Sequence, residues 1–238
     1  MALKDTSALV LAAGFGKRLK QLTHTTPKAL VRLNGIPMLD ITLQKLLQSG
    51  FSESRIIVNT HYLAAQVHTH LENHYPRVKV SHEPRILGTG GALIPIRQML
   101  GDDDLLVHNA DILCTAPLDD FIKYVRDEKA DAGMLVRRDK NARMYGTVLL
   151  QNDNTVVDIA QKLFPHKYGE HMFTGIHFLS NALVKKAHHC DFCSVLDNVY
   201  YPALMRGARV VGYETDQPWY DIGTPEKLSE AAAFHRLQ

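Results

Sequence analysis

The sequence predicts an α/β fold: a mostly parallel, Rossmann-like sheet with helices on both faces. Three observations predict it. Short continuous apolar runs alternate with segments of helical periodicity from Ala8 to Asp111, the first run breaks into a glycine-rich turn, and a later run ends on an acidic residue. Residues 8–13 (ALVLAA) read as a buried strand entering the tight loop Gly14-Phe15-Gly16. After Pro37, residues 38–47 space apolar side chains at helical intervals and stop at Ser49-Gly50, which suits a C-cap. Residues 55–59 read as the next strand, 63–71 as a helix and 78–80 as a third strand before a glycine-rich turn. A further unit follows, with a helix over 92–100 and a buried strand over 105–111 whose last residue is Asp111. The remainder predicts shorter strands at 132–136 and 147–150, a helix over 194–206 and a last helix starting near Pro225. No low-complexity linker or internal repeat interrupts the chain, so the second half is expected to extend the same sheet.

At 238 residues, with 45% hydrophobic and 22% charged, the chain can bury a core as one large α/β domain. The formal charge of +2, with no Lys or Arg run beyond a pair, lacks the footprint of a nucleic-acid binder. The apolar stretch 8–13 is too short to cross a bilayer and has no signal-peptide cleavage pattern, so no membrane association is expected. Three cysteines are too few and too odd in number for a disulfide framework, which points to a reducing, cytoplasmic setting. Cys190-Asp191-Phe192-Cys193 has the spacing of a redox motif, but no second ligand pair closes a zinc site, and the expectation is packed or surface thiols. His61, His68, His70 and His74 surround one predicted helix without a clean i, i+4 repeat or an acidic partner, so a solvated polar face is expected there.

Three constellations carry chemistry. Gly14-Phe15-Gly16-Lys17-Arg18 follows the first strand and leads to Thr26-Pro27-Lys28; glycines let backbone N–H groups approach phosphate oxygens, Arg18 offers a fork and Lys28 a point charge. Taken alone, Gly-x-Gly after a strand is a weak signal, without the third glycine of the dinucleotide fingerprint or the Gly-Lys-Ser/Thr of a P-loop. The segment from Glu83 to Ala92 contains Gly88, Gly90 and Gly91, and a carboxylate at Glu83 could accept a hydrogen bond from the ring N–H of uracil or guanine. Asn109-Ala110-Asp111 and Trp219-Tyr220-Asp221-Ile222-Gly223-Thr224-Pro225-Glu226 each supply an aspartate, and a few carboxylates with phosphate oxygens and water suffice for magnesium.

The string Gly-x-Gly-x-Arg followed by Thr-x-x-Pro-Lys, with Asp221-Ile222-Gly223-Thr224-Pro225-Glu226 near the end, resembles the sugar-nucleotide pyrophosphorylases, and the motifs occur in that family's order from Leu9 to Leu228. Gln21 stands in the stretch where the family usually has a proline, and Gln161 where a glutamate is common. The resemblance implies one nucleotidyltransferase domain over 1–238, with a nucleotide-binding half of about 1–115 and a sugar-phosphate half of about 116–238. It further implies Arg18 and Lys28 as catalytic cations, Ala12, Ala13, Gly14, Gly16, Glu83, Gly88 and Gly90 as nucleotide-binding, and Asp111 and Asp221 as ligands of Mg2+. Tyr145-Gly146, Gln161-Lys162 and Phe173-Thr174-Gly175-Ile176 match weaker family motifs, so Asn109, Gly146, Gln161, Lys162 and Thr174 are expected to hold the sugar phosphate.

The implied partners are an NTP and a sugar 1-phosphate, and the implied assembly a monomer or small homo-oligomer. The chain ends about ten residues past its last motif, so no appended acyltransferase or β-helix domain is expected. That shortness resembles the N-acetylmuramate 1-phosphate uridylyltransferases, which favours UTP; the short guanylyltransferases of mannose or heptose 1-phosphate are the alternative. A noncatalytic nucleotide-binding module and a cytidylyltransferase for a phosphorylated alcohol are rivals on the same fold.

Overall fold

The structure, a computed structural model, describes residues 3–140 and 142–235. The chain divides into two compact units. A central unit comprises residues up to Ser7, Leu87–Val107 and Ala116–Gln217; an N-terminal unit comprises Ala8–Ile86, His108–Thr115 and the residues from Pro218 onward. The halves expected at 1–115 and 116–238 are therefore interleaved: 87–107 belong with the later residues, and those from Pro218 onward return to the earlier ones.

In the N-terminal unit, residues 8–11 of strand Thr6–Leu11 pair in parallel with Ile56–Thr60, which pairs in parallel with Lys79–His82. Leu9, Val10, Ile57 and Val58 are fully buried, as the unbroken apolar runs of a parallel sheet require. Helices Met38–Gln48 and Ala64–His74 make the crossovers. The first buries Met38, Leu39, Leu43 and Leu46 along one stripe and stops where expected, with the Gly50 N–H on the Leu47 carbonyl at 3.0 Å and φ of +100° at Gly50. Strand Asp104–Asn109 ends two residues earlier than expected. Asp111 falls in a turn, and a separate strand Ile112–Cys114 pairs antiparallel with Trp219–Asp221.

In the central unit, strand His171–Leu179 lies antiparallel to Ala132–Arg138 and Thr147–Leu150, the latter antiparallel to Val156–Ile159. Val210–Glu214 pairs in parallel with Ala132–Arg138. Helix Leu118–Asp127 turns Leu118, Phe121, Ile122 and Val125 inward; a Cβ on Gly133 would overlap Val125, so a glycine lets the helix seat on the sheet. The expected helix at 194–206 is a π-helical turn Leu196–Tyr200 running into Tyr201–Met205. The α/β class stands: parallel strands with crossover helices carry the N-terminal unit, and antiparallel strands join a parallel pair in the central one.

His177 tests this packing. It is 2% exposed, its Nδ1 is 3.0 Å from the Tyr200 hydroxyl, and burial pushes its pKa down to about 3. The folded protein keeps this ring neutral while the unfolded chain takes up a proton near pH 6.5, so its stabilising contribution is complete above that pH and declines as pH falls toward 3. The expected loss from His177 is roughly 2 kcal/mol between pH 8 and pH 5. Urea unfolding of wild type and His177→Phe at both pH values should show a shallower decline in the variant.

Candidate functional site

The first strand ends at Leu11, and the Ala12 N–H donates to Asn59 Oδ1 at 2.7 Å, which ties the start of the glycine loop to the end of the next strand. Ala12 and Ala13 are buried at 6% exposure. No heavy atom lies within 4 Å of where a Cβ on Gly14 would stand. Gly16 differs: its φ is +66°, and a Cβ there would sit 2.8 Å from Thr23 Cγ2 and 2.9 Å from Lys28 Cβ. Gly16 is thus needed so that the Lys28 segment can lie against the loop, a reason separate from the phosphate approach expected of both glycines. The turn is closed by Leu19 N–H and the Thr23 hydroxyl, which both donate to the Gly16 carbonyl, at 2.8 and 3.0 Å.

Pro27 holds φ at −62° in an extended conformation and launches the short turn Lys28–Leu30. From there the Lys28 ammonium donates to the Asp111 carboxylate, both side chains being mostly buried. Asp111 accepts the Ile222 N–H on its own carbonyl at 2.8 Å, and the antiparallel register sets Asp221 opposite Ile112. The two aspartates therefore stand on neighbouring backbone segments. Asp221 takes Lys227 Nζ at 3.2 Å and Arg18 Nη2 at 3.9 Å; with Arg18 63% exposed, the latter pair is a weak one. A Cβ on Gly223 would lie 2.6 Å from Arg18 Nη2, the far end of a flexible, exposed side chain that can shift aside.

These residues surround a cavity of about 290 Å³ lined by Ala12, Gly14, Arg18, Lys28, Asp111 and Gly223, among others. Beneath it, Leu19, Val31, Leu33, Met38, Leu113 and Ile222 form one apolar cluster. The donor set fits magnesium. Two carboxylates on adjacent segments leave the other positions to phosphate oxygens and water. Among the described residues, no three His, Cys, Asp or Glu side chains gather in a metal-binding group.

Glu83, expected as an acceptor for the base, is buried and already engaged within the protein. It is 1% exposed, accepts Asn59 Nδ2 at 2.6 Å on Oε1, and offers its backbone carbonyl 2.8 Å from His61 Nδ1. Asn59, which sequence reasoning missed, thus links Ala12 and Glu83; a polar residue near the end of an apolar strand was the available signal. Lys227, directly after the motif ending at Glu226, was missed, although its place one helical turn and more past Asp221 was a signal. The histidines are more engaged than a solvated face: His68 Nε2 lies 2.8 Å from Thr60 Oγ1 and His70 Nε2 2.5 Å from Asp40. Asn109 ends its strand, with its carbonyl 2.9 Å from Nδ1 of the buried His108; burial outweighs that bond and lowers the His108 pKa to about 4.

Gly88, Gly90, Gly146, Gln161, Lys162 and Thr174 belong to the central unit. A Cβ on Gly88 would lie 2.5 Å from the Cys193 carbonyl oxygen, and one on Gly90 would overlap the Ser194 carbonyl, so these glycines accommodate protein backbone. Gly146 has φ of +85°; the side chain of Tyr145 lies outside the described part. Gln161 is left-handed at φ of +55° and donates from Nε2 to Thr147 Oγ1 at 2.7 Å, while Lys162 Nζ sits 5.7 Å from the Tyr201 ring centre. Thr174 is 1% exposed and its hydroxyl donates to the Leu135 carbonyl at 2.7 Å, so that hydroxyl is engaged inside the sheet rather than turned toward a sugar. Cys190 and Cys193, expected as thiols, are joined by a disulfide, and Cys114 is free and buried.

The sequence matches the nucleotidyl transferase family over residues 7–237. It is 25% identical over 229 residues to the mannose-1-phosphate guanylyltransferase catalytic subunit beta of Danio rerio, covering 92% of this chain and 61% of that protein. It is 26% identical to the mannose-1-phosphate guanylyltransferase of Mycobacterium tuberculosis over 98% of this chain and 65% of that one. The chain thus spans about six tenths of the length of the curated relatives it matches. Among solved structures, HddC from Yersinia pseudotuberculosis superposes with a TM-score of 0.80 at 26% identity, over 96% of this chain and 99% of that chain. A second HddC structure, complexed with GMP-PN, superposes with a TM-score of 0.79 at 25% identity over the same shares.

Asn59 carries a direct test of the network. Asn59→Ala leaves the Ala12 N–H and one Glu83 oxygen without this partner in a buried place, which should cost roughly 2–4 kcal/mol of stability. Adding Glu83→Ala should recover part of that loss, because the buried charge is gone. Urea unfolding of the two single variants and the double variant checks it, and additive losses would mean that the side chains act independently.

Proposed function

Because the chain belongs to the nucleotidyl transferase family over residues 7–237, we propose that it transfers a nucleotidyl group from an NTP to a sugar 1-phosphate and releases pyrophosphate. One observation carries the reading: the cavity on the glycine loop has Arg18 and Lys28 on its wall beside Asp111, the charge pattern a triphosphate and its metal ion need. The open space around Gly14 admits phosphate oxygens to the backbone. The sugar 1-phosphate oxygen attacks the α-phosphorus in line, and the bond to pyrophosphate breaks as the new P–O bond forms. Negative charge grows on the leaving pyrophosphate, and Lys28, held by its bond to Asp111, meets that charge without having to reorganise. Arg18 is more exposed and grips the triphosphate as it enters.

Asp111 and Asp221 would hold magnesium, which would supply charge neutralisation at the phosphate oxygens. On the acceptor side, Lys162 is proposed for the 1-phosphate, with Gly146 and Gln161 near the sugar. Thr174 would act through its backbone, its hydroxyl being engaged by Leu135. The nucleotide proposed is GTP and the acceptor a mannose- or heptose-type 1-phosphate. The support is that relatives in both comparisons are named as guanylyltransferases or bind GMP-PN. UTP, favoured by the resemblance to short uridylyltransferases, competes with it in the test.

Pyrophosphate release from four NTPs against a panel of sugar 1-phosphates should show turnover with magnesium, highest with GTP. No release with any pair would remove the enzymatic reading in favour of a binding module. Lys28→Ala should lower kcat by roughly 10²–10³, the scale of one preorganised electrostatic partner, and Lys28→Arg should restore it only in part. A kcat within about threefold of wild type for Lys28→Ala, roughly 0.65 kcal/mol of barrier, would remove Lys28 from the chemistry. Asp221→Asn should abolish magnesium-dependent turnover with an unchanged circular dichroism spectrum, and wild-type rates would take Asp221 out of the metal site.

A further inference from the structure

The run Gly88–Gly91 forms a short helical turn of the sequence Gly-Thr-Gly-Gly, which has almost no helix propensity of its own. Its shape is imposed by the segment 188–198 of the same unit. The Gly90 N–H donates to the Cys193 carbonyl at 2.9 Å, and the Cys193 N–H returns to the Leu87 carbonyl at 3.0 Å. The Val195 N–H donates to Thr89 Oγ1 at 2.9 Å, and Asn198 Nδ2 donates to the His188 carbonyl at 3.0 Å and the Gly90 carbonyl at 3.3 Å. The missing side chains of Gly88 and Gly90 are what let the Cys193 and Ser194 carbonyls come so close. The Cys190–Cys193 disulfide closes the turn that presents those carbonyls.

That turn projects from the surface. Asp191 is exposed, Phe192 is 68% exposed, and both cysteines are partly exposed, so small thiols and disulfides can reach the pair, whereas Cys114 is buried. The Cys-x-x-Cys spacing makes each sulfur the resolving partner of the other.

We propose that Cys190 and Cys193 are a reversible dithiol–disulfide couple that controls the affinity of the glycine turn Leu87–Gly91 for the nucleotide. The inference rests on the proposed nucleotidyl transfer and on the expectation, carried by the family resemblance, that the backbone of Gly88 and Gly90 meets the NTP. In the oxidised form the closed turn holds the Cys193 and Ser194 backbone against the glycines, which keeps one loop shape. Reduction frees 190–193, and the glycines, with no side chains to restrict them, gain the conformations that binding must then remove. The exchange balances with a low-molecular-weight disulfide as oxidant. One cysteine thiolate attacks it and displaces a thiol; the second attacks the mixed disulfide and displaces the other thiol. The S–S bond of the oxidant is reduced, one S–S bond forms in the protein, and the two cysteine protons pass to the two released thiols.

The test equilibrates the full chain with oxidised or reduced glutathione, counts alkylatable cysteines under denaturing conditions by mass spectrometry, and measures steady-state kinetics and hydrogen exchange in each state. The expected result is one alkylatable cysteine after oxidation and three after reduction. The KM for the NTP should rise on the order of three- to tenfold on reduction, with kcat and the KM for the sugar 1-phosphate unchanged, and exchange at residues 87–92 should be faster. Cys190→Ser/Cys193→Ser should match the reduced wild type under both conditions. Three alkylatable cysteines in oxidised glutathione, or a disulfide that forms without slowing exchange at 87–92, would overturn the couple as a control on the turn. Slower exchange with an unmoved NTP KM in a turning-over enzyme would overturn its link to nucleotide affinity. If no NTP is turned over, the proposed reaction fails, and calorimetric NTP binding in the two redox states still decides the couple: a difference supports it and equal affinities overturn it.

Discussion

Leu19, Leu113 and Ile222 are buried in one apolar cluster, and each stands within two residues of a charged member of the site: Arg18, Asp111 and Asp221 respectively. Burying side chains of this size is worth about 1.5–3 kcal/mol apiece, whereas exposed ion pairs such as Arg18–Asp221 contribute about 0–1 kcal/mol. Packing therefore decides where the charges stand, and the charges follow. The antiparallel pairing of Ile112–Cys114 with Trp219–Asp221 is the backbone expression of the same constraint, because it brings residues more than a hundred apart in sequence into register. With the cluster in place, opposed charges at Lys28 and Asp111 can be held close together in a mostly buried setting.

Around that core the glycines divide by physical role. Gly14 faces open space, Gly16 yields to Thr23 and Lys28, and Gly88 and Gly90 yield to the backbone of Cys193 and Ser194. A glycine-rich loop is thus a record of several close approaches, only some of which leave room for a ligand. The central unit contains a different local cost. Ala160 and Gln161 are consecutive left-handed residues, at φ of +53° and +55°, a conformation worth about 1–3 kcal/mol of strain at each non-glycine position. The Ala160 N–H on the Thr147 carbonyl and Gln161 Nε2 on Thr147 Oγ1, both at 2.7 Å, hold that turn, and it leads directly into Lys162, the residue proposed to meet the 1-phosphate.

Much of the fold was legible because local chemistry and tertiary structure agree. The first strand, the helix stop at Ser49-Gly50 and the strand Thr147–Leu150 follow from apolar period and turn residues alone. Helix Leu118–Asp127 carries a readable stripe at 118, 121, 122 and 125. The break after Asn109, which turns one expected strand into two with Asp111 between them, was not readable, because Leu105 to Asp111 has no glycine or proline to mark it.

By itself the sequence determined the family motifs, the α/β class and which residue types could meet phosphate and metal, since these depend on composition, period and spacing within short stretches. Tertiary structure alone decided that Glu83 is buried against Asn59, that the Thr174 hydroxyl is engaged by Leu135, and that Cys190 and Cys193 are joined behind the glycine turn. Each of those facts depends on the side chain's surroundings, which are supplied largely by residues distant in the chain. Local pattern specifies what a residue can do; burial and partners, which arise only when distant segments meet, specify what it does.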